Sequence, residues 1–195
     1  MREPIHHPSD DEVLRRIRQG DHEAFGILVR RHGDMVYTLA RRMLATVEDA
    51  EEAAQDAFVR AFRALPRFEQ RARFSTWLYR ITYNVCLSYI ARTRRSAAVI
   101  PLEDEPMDEE VEDVGTRMDS EHLRDRIADV LPRMRAEYAA ILTMFYVHDQ
   151  SYEDIAAILE CPLGTVKNRL HRARAALRAA LGLVVPIEAH EDTAS

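Results

Sequence analysis

Residues 151–181, SYEDIAAILECPLGTVKNRLHRARAALRAAL, form the stretch on which the interpretation of the whole chain depends. Their pattern predicts a helix, a tight turn and a second helix. Ser151 can cap the first helix, and Asp154 three positions later is a shorter equivalent of the glutamate in a capping box. The turn is expected at residues 161–164, where a proline and a glycine interrupt the helical pattern.

Three residues define the turn and the start of the second helix in this prediction. Pro162 has no amide proton to donate, so it cannot continue the first helix. Gly164 is free to adopt a positive φ. Thr165 is then placed to cap the second helix.

The second helix is predicted to have an apolar side and a basic side. Its apolar positions recur at spacings of four, three and four, which places them on one buried face: Val166, Leu170, Ala173 and Leu177. The other side carries Lys167, Asn168, His171 and Arg172, with Arg174 and Arg178 further along. No acidic residue occurs between Cys161 and Ile187, so the helix is a positive patch in a chain of net charge −6. Such a helix fits the DNA major groove, and a merely solvated basic face is the alternative.

Composition favours a helical protein of one or two domains. The 195 residues are 47% apolar and 31% charged, as in globular proteins. Six glycines and few long β-branched runs, against abundant Ala, Arg, Glu and Leu, favour an all-α fold. No apolar run approaches the roughly 20 residues of a membrane span, and the N-terminus lacks the apolar core of a secretory signal. We therefore expect a cytoplasmic protein that does not insert into membranes.

The sequence contains no catalytic or metal-binding pattern. Cys86 and Cys161 lie in apolar contexts without metal-ligand spacing, so free thiols are expected, with a disulfide between them as the alternative. No zinc-protease, phosphate-loop, serine-hydrolase or paired-carboxylate signature is present. We expect no enzyme activity, no catalytic residue, no metal and no cofactor.

The N-terminal part predicts a series of amphipathic helices. Ser9 and Glu12 can form a capping box at the first of them. The most regular helix opens near Thr46 and carries apolar residues at alternating spacings of three and one: Ala50, Ala53, Ala54, Ala57, Phe58, Ala61, Phe62 and Leu65. Its small alanines let a neighbouring helix approach closely, and Pro66 ends it.

A basic and aromatic helix follows at residues 74–95, with Ser75 or Thr76 expected as its cap. Its composition is that of a platform on which single-stranded bases stack while cations hold phosphates: Trp77, Tyr79, Arg80, Tyr83, Asn84, Tyr89, Arg92, Arg94 and Arg95. Trp77 is expected to be a core anchor instead. For Tyr83 and Asn84, the residues alone leave a structural role and a binding role open.

An acidic segment divides the chain. Residues 101–121 hold ten acids and a single base, Arg117, without a helical or strand period. This composition is typical of a flexible linker. The predicted organisation is two small helical domains, 9–96 and 122–181, joined by a flexible acidic linker, 97–121.

Three stretches together make the chain similar to the extracytoplasmic-function (ECF) group of bacterial RNA polymerase sigma factors. DAEEAAQDAFVRAF, residues 49–62, resembles the family's core-polymerase-binding helix. FSTWLYRITYN, residues 74–84, resembles its −10 promoter segment, and residues 151–177 resemble its −35-reading domain. A helix-turn-helix alone is unspecific, whereas three such stretches in the family's order are a specific signal.

The resemblance implies three binding surfaces. The clamp helices of the polymerase's largest subunit would dock on Asp49, Glu52, Gln55, Asp56 and Arg60. The −10 element would be bound by Asn84, which matches the residue that captures a flipped base, together with Arg80, Tyr83, Arg92, Arg94 and Arg95. The −35 element would face Thr165, Lys167, Asn168, His171 and Arg172, with Arg174 nearer the DNA backbone.

The partners implied by the resemblance are core RNA polymerase, promoter DNA and an anti-sigma factor, and the linker would thread the polymerase cleft. Two other functions compete with this interpretation. A helix-turn-helix repressor or activator acting alone as a dimer leaves the aromatic helix and acidic segment unexplained, and the sequence has no heptad seam for a dimer. An enzyme acting on nucleic acid would need an acid–base or metal constellation that is missing from the sequence.

Overall fold

The computed structural model describes residues 8–96 and 126–182, with the side chains of residues 94–96 left out. All regular secondary structure within these ranges is helical, which confirms the all-α prediction. The linker predicted at 97–121 and the tail beyond Gly182 lie outside the described residues. Within the two ranges, no helix combines the length and the apolarity needed to cross a lipid bilayer.

The first two helices are α1 (Asp10–Arg18) and α2 (Phe25–Met43). The Ser9 hydroxyl accepts a hydrogen bond from the Glu12 amide, and the Glu12 carboxylate accepts one from the Ser9 amide at 2.6 Å. This reciprocal pair confirms the predicted capping box and fixes where α1 begins.

Asp10 ties α1 to α2. Its carboxylate lies 2.8 Å from Nε2 of His32 and also pairs with Arg31, both on α2. Burial tends to raise the pKa of Asp10, but the hydrogen bonds to His32 and Arg31 outweigh it and hold that pKa below the ordinary value. The carboxylate therefore stays ionised near neutral pH, and the tie between the helices is maintained.

Helix α3 (Val47–Ala64) packs against α2 and against the helix that follows it. The Thr46 hydroxyl accepts the amide of the third residue of α3 at 3.0 Å, so Thr46 is its cap. Four fully buried alanines form the packed face: Ala50, Ala53, Ala57 and Ala61. Phe62, predicted to be part of the apolar stripe, is 40% exposed and packs only edge-on against Phe25, with 5.0 Å between ring centroids.

We expect Ala57→Leu to lower the free energy of unfolding by about 1–3 kcal/mol, because the added carbons have no space beside this fully buried alanine. Urea unfolding followed by circular dichroism would measure the change. Glu51→Leu adds the same side chain at an exposed position of α3 and should shift the unfolding free energy by less than about 0.5 kcal/mol. Equal losses from the two substitutions would contradict close packing of the alanine face.

Helix α4 (Phe74–Ser96) begins before its predicted caps. Ser75 and Thr76 lie inside its first turn, so the prediction that one of them caps the helix is wrong. The helix starts at Phe74, whose buried ring packs against Trp77 at 5.7 Å between centroids. Aromatic packing in the first turn therefore takes the place of a side-chain cap.

The described part of the C-terminal half consists of short helices joined by tight turns. A helical segment at residues 126–130 leads into a 3₁₀ turn at Leu131–Arg133, helix α5 (Ala136–Leu142) and one turn of π-helix at Thr143–Val147. Helices α6 (Tyr152–Leu159) and α7 (Leu163–Ala180) follow.

Helices α6 and α7 form the predicted helix-turn-helix, but with a different turn. Ser151 caps α6 as expected. The left-handed residue is Glu160, with a φ of 49°, whereas Gly164 lies within α7 and has no positive φ. Pro162 occupies the cap position of α7 without a side-chain hydrogen bond, so the prediction that Thr165 caps this helix is wrong. The fixed φ of proline suits the residue from which a helix starts directly.

The two halves of the chain contact each other, which the sequence does not predict. Helix α2 packs against α5 and the turns on either side of it, and α4 packs against α6. The buried apolar residues of both halves form one continuous cluster. The C-terminal half is thus seated on the side of α4 from which the nucleic-acid platform was predicted.

Candidate nucleic-acid interface

The outer side of α7 presents the polar residues predicted to meet duplex DNA. Four of them are exposed: Lys167, Asn168, His171 and Arg172. The opposite face of the helix is buried and consists of Val166, Leu170 and Ala173. Thr165 is half-buried in the first turn. The N-terminal half of α7 is therefore held from behind and open in front, as contact with base edges requires.

Arg169 is an exposed cation of α7 that the sequence analysis did not single out. Three residues after Val166, it lies about 60° from the centre of the buried face. Helical periodicity assigns such a position to neither side. Its place in the acid-free run was a usable signal for a further phosphate-binding residue.

Arg174 is held by the π-helical turn. Its Nε donates to the hydroxyl of Tyr146 at 2.6 Å, and its guanidinium carbon lies 5.5 Å from the ring centroids of both Phe145 and Tyr146. Tyr146 is itself 55% exposed, although no sequence pattern pointed to it. Arg174 and Tyr146 therefore form one composite surface beside α7, with the cation fixed by hydrogen bonding and stacking.

The residues predicted on α4 for the −10 element differ in exposure. Asn84 is exposed, whereas Tyr83 is only 8% exposed. Nη2 of Arg80 lies 2.6 Å from Oε1 of Glu160, at the end of α6. The structure thus leaves the amide of Asn84 open and places the adjacent ring and cation against the C-terminal half.

Arg92 lies further along α4 and links it to α3. Its guanidinium carbon is 4.4 Å from the ring centroid of Tyr89, and its Nη2 is 3.8 Å from a carboxylate oxygen of Glu52. The side chains of Arg94 and Arg95, also predicted for the −10 element, lie outside the described residues.

Tyr79 and Tyr83 are both buried where α4 meets the C-terminal half. Burial raises the pKa of Tyr83, and among nearby groups Glu137 raises it further while Arg169 lowers it. Tyr79 is fully buried, and its hydroxyl forms a hydrogen bond with Nδ1 of His148. The prediction that Tyr79 belongs to an exposed stacking platform is therefore wrong, because a residue distant in sequence covers it.

Trp77 packs in an aromatic cluster at the start of α4. Its ring centroid lies 4.6 Å from that of Phe68 and 5.7 Å from that of Phe74. Both phenylalanines are buried. This placement agrees with the expectation that Trp77 anchors the core rather than stacking on a base.

The outer side of α3 carries the residues predicted to bind polymerase. Glu52, Gln55 and Arg60 are exposed, and Asp49 and Asp56 are half-buried. Oδ2 of Asp56 lies 2.8 Å from Nη2 of Arg60, one turn later in the helix. The surface is mixed in charge but richer in acids.

An open groove runs between this surface and α4. It is lined by Glu52, Gln55, Asp56, Val59 and Arg60 of α3 and by Ser88, Tyr89 and Arg92 of α4. Val59 is 45% exposed, and the sequence analysis did not select it because its neighbours are charged. A large apolar side chain surrounded by polar ones is typical of a protein-binding surface.

Neither cysteine is placed for disulfide formation. Cys86 and Cys161 are both free, so the disulfide alternative is excluded in this structure. Burial raises the pKa of Cys86 to about 12. Within residues 8–96 and 126–182, no group of three His, Cys, Asp or Glu side chains is arranged to hold a metal ion.

Two models of protein families match the chain. Sigma-70 region 2 matches residues 28–96, which include α3, α4 and most of α2. Sigma-70 region 4 matches residues 124–177, which include α5, α6 and most of α7.

Curated relatives match over nearly their whole length. The chain is 34% identical over 177 residues to the ECF RNA polymerase sigma-E factor of Escherichia coli K12, covering 87% of this chain and 92% of that protein. It is 33% identical over 173 residues to the ECF sigma factor SigW of Bacillus subtilis, covering 85% and 92% respectively.

Solved structures share the fold. CnrH, in complex with the cytosolic domain of CnrY, matches with a TM-score of 0.63 and 27% identity, covering 89% of this chain and 97% of that chain. The sigma factor RpoE of Bartonella quintana, in complex with the anti-sigma factor NepR, matches with a TM-score of 0.62 and 22% identity, covering 83% and 98%. This second likeness concerns the fold alone.

Proposed function

We propose, on the premise that this chain belongs to the ECF group of sigma-70 factors, that three of its helices divide the work of initiation. As a sigma factor it binds core RNA polymerase and directs promoter-specific transcription initiation. In the division proposed here, α3 binds the core enzyme, α4 binds the melted −10 strand and α7 reads the −35 duplex.

One observation carries this assignment: each of these helices exposes side chains suited to its target. Helix α7 exposes cations and an amide along an acid-free face. Helix α4 exposes the amide of Asn84, which can donate to and accept from the edge of a flipped base. Helix α3 exposes acids around the apolar Val59, which suits a protein partner better than DNA.

The domain organisation and the inhibitory partner belong to the same proposal. We propose two helical units, 9–96 and 122–181, tethered by residues 97–121. CnrH is bound by the cytosolic domain of CnrY in its solved complex. By analogy, and because the sequence resembles the ECF group, we propose that an anti-sigma factor binds this chain in the cytoplasm. The chain would act there without catalysing a reaction.

A gel shift with and without core polymerase tests the proposed function. The chain should retain promoter DNA specifically at physiological salt only when core polymerase is added. A stand-alone repressor or activator would bind the same DNA specifically without polymerase. That result, or a failure of the chain to co-migrate with core polymerase, would overturn the proposal.

Arg172→Ala is expected to lower transcription about 5- to 150-fold, because one good base contact in the major groove contributes roughly 1–3 kcal/mol. Run-off transcription with core polymerase would measure it on a promoter selected from a genomic library. Arg133→Ala removes the same charge from an exposed position outside α7 and should have little effect. An equal loss for Arg172→Ala on a promoter with a scrambled −35 element would argue against the assignment.

A further inference from the structure

Three side-chain pairs join α4 to the C-terminal half around α6. The hydroxyl of Tyr79 is bonded to Nδ1 of His148. The hydroxyl of Thr76 donates to Oδ1 of Asp154 at 3.4 Å, and Arg80 pairs with Glu160 as described above. The pairs reach the turns before and after α6 as well as α6 itself, so the contact spans the length of that helix.

The α4 residues in this contact share one helix face with a residue assigned to DNA. Thr76, Tyr79 and Tyr83 are spaced by three and four positions, which places them in one row. Arg80 lies beside that row and is 44% exposed in its ion pair. The row is covered in this structure, with Thr76 5%, Tyr79 0% and Tyr83 8% exposed.

We propose that the free chain closes on itself: the C-terminal half covers the promoter-strand side of α4 and competes with single-stranded −10 DNA for that surface. This inference presupposes the −10 role proposed for α4 in the preceding section. A ring can stack on a base only if one of its faces is accessible, and Tyr83 has no such face in the closed arrangement. Arg80 likewise cannot pair with Glu160 and hold a phosphate with the same nitrogen.

The chemistry of the contact suits a reversible closure. The Arg80–Glu160 pair is partly solvated, with 44% and 60% of the two side chains exposed, so it contributes little to stability. The Thr76–Asp154 hydrogen bond is long. The Tyr79–His148 pair is buried, and burial and the charge of Arg42 lower the pKa of His148, against the opposing effect of Asp149. The imidazole is therefore neutral at pH 7 and can accept from the phenol, so closure buries no charge at that position.

The backbone at Glu160 supports a role for its side chain in closure. Glu160 ends α6 with a φ of 49°, a conformation that glycine adopts at lower cost than any residue with a Cβ. The helix end alone would favour glycine here. The carboxylate of Glu160 compensates by reaching Arg80 on the other half.

Closure affects the two promoter surfaces unequally. Lys167, Asn168 and Arg172 on α7 are exposed in the same structure in which Tyr83 is covered. The free chain therefore masks its −10 surface and leaves its −35 surface open. Separation of the halves on core polymerase would uncover Tyr83 and Arg80, which couples strand binding to assembly of the complete enzyme.

The full-length double variant His148→Ala/Glu160→Arg tests the closure. It leaves the Tyr79 hydroxyl without its partner and places two cations together, so the closed state should be lost. Without polymerase, we expect its radius of gyration in small-angle X-ray scattering to exceed that of the wild type. We expect fluorescence anisotropy to show about tenfold tighter binding of a −10 non-template oligonucleotide, the gain when a closed state populated about ten to one is removed.

Two further variants exclude trivial explanations. Glu153→Arg makes the same charge change at an exposed position of α6 and should leave both measurements at wild-type values, apart from a small general gain in DNA affinity. His148→Ala/Glu160→Gly adds no cation and supplies the residue that the left-handed backbone favours, so it should open the chain without unfolding the helix-turn-helix. Opening seen only together with loss of helical circular dichroism would overturn the proposal.

The remaining outcomes separate this inference from the proposed function. Unchanged scattering and unchanged strand affinity in both double variants would overturn the closure. If those variants and the wild type still initiated transcription normally with core polymerase, the function proposed for the chain would stand without it. Expanded variants that gained no affinity for the strand would also overturn the masking. Only a wild type that failed to initiate with core polymerase would count against the proposed function itself.

Discussion

Asn84→Ala is expected to leave binding to core polymerase unchanged and to lower open-complex formation about 5- to 150-fold. The amide of Asn84 is exposed on α4 and carries both a donor and an acceptor, so it can bind the edge of a base flipped out of the duplex. Losing such a contact costs roughly 1–3 kcal/mol. Alanine is a better helix former than asparagine, so the change should not unfold α4.

Permanganate reactivity of thymines in the −10 region would measure the opening, and native gels would measure core binding. Thr93→Ala, which removes another exposed polar side chain from α4, is the matched control and should behave as the wild type. Wild-type permanganate reactivity with Asn84→Ala would argue against this residue as the base-capturing one. Loss of core binding would instead place Asn84 in the polymerase interface.

The double variant Glu52→Arg/Asp56→Arg is expected to weaken binding to core polymerase about 100-fold or more. Both acids lie on the outer side of α3, and like charges placed across an interface cost several kcal/mol. Within the chain, the change breaks the Asp56–Arg60 pair, whose arginine is 49% exposed, and such exposed pairs contribute little to folding. The loss should therefore appear in assembly rather than in stability.

Co-migration with core polymerase on size-exclusion chromatography would measure this effect, and circular dichroism would check the fold. Glu23→Arg/Glu51→Arg introduces the same charge at exposed positions away from the groove between α3 and α4 and should co-migrate as the wild type does. Transcription by the α3 variant should fall on every promoter, whatever its −35 sequence. Normal co-migration of that variant would exclude the outer side of α3 as the docking surface.

Local signals in the sequence predicted the helix boundaries best. Ser9, Thr46 and Ser151 all cap the helices they were assigned to, because a cap depends on residues within one turn of it. The wrong caps were those on α4 and α7. At both of these places a residue with another local advantage decided the start, namely the buried ring of Phe74 and the fixed φ of Pro162.

Burial was predicted well within each half and poorly where the halves meet. The alanine face of α3 follows from its own periodicity. The burial of Tyr79 does not, because His148, which covers it, lies 69 positions away. The same holds for Tyr83, whose surroundings include Glu137 and Arg169 of the C-terminal half. Composition identified α4 as rich in rings and cations, but only the tertiary contact shows which of them reach solvent.

The buried thiol of Cys86 has a practical consequence for anyone who wishes to follow this chain by fluorescence. With a pKa of about 12, fewer than about one in 10,000 of these thiols is ionised at pH 8, and the thiolate is the form that attacks a maleimide. Cys161, half-buried in the turn ahead of α7, is the chain's only other cysteine. Conjugation of the unmutated polypeptide would thus attach a single dye, beside the recognition helix.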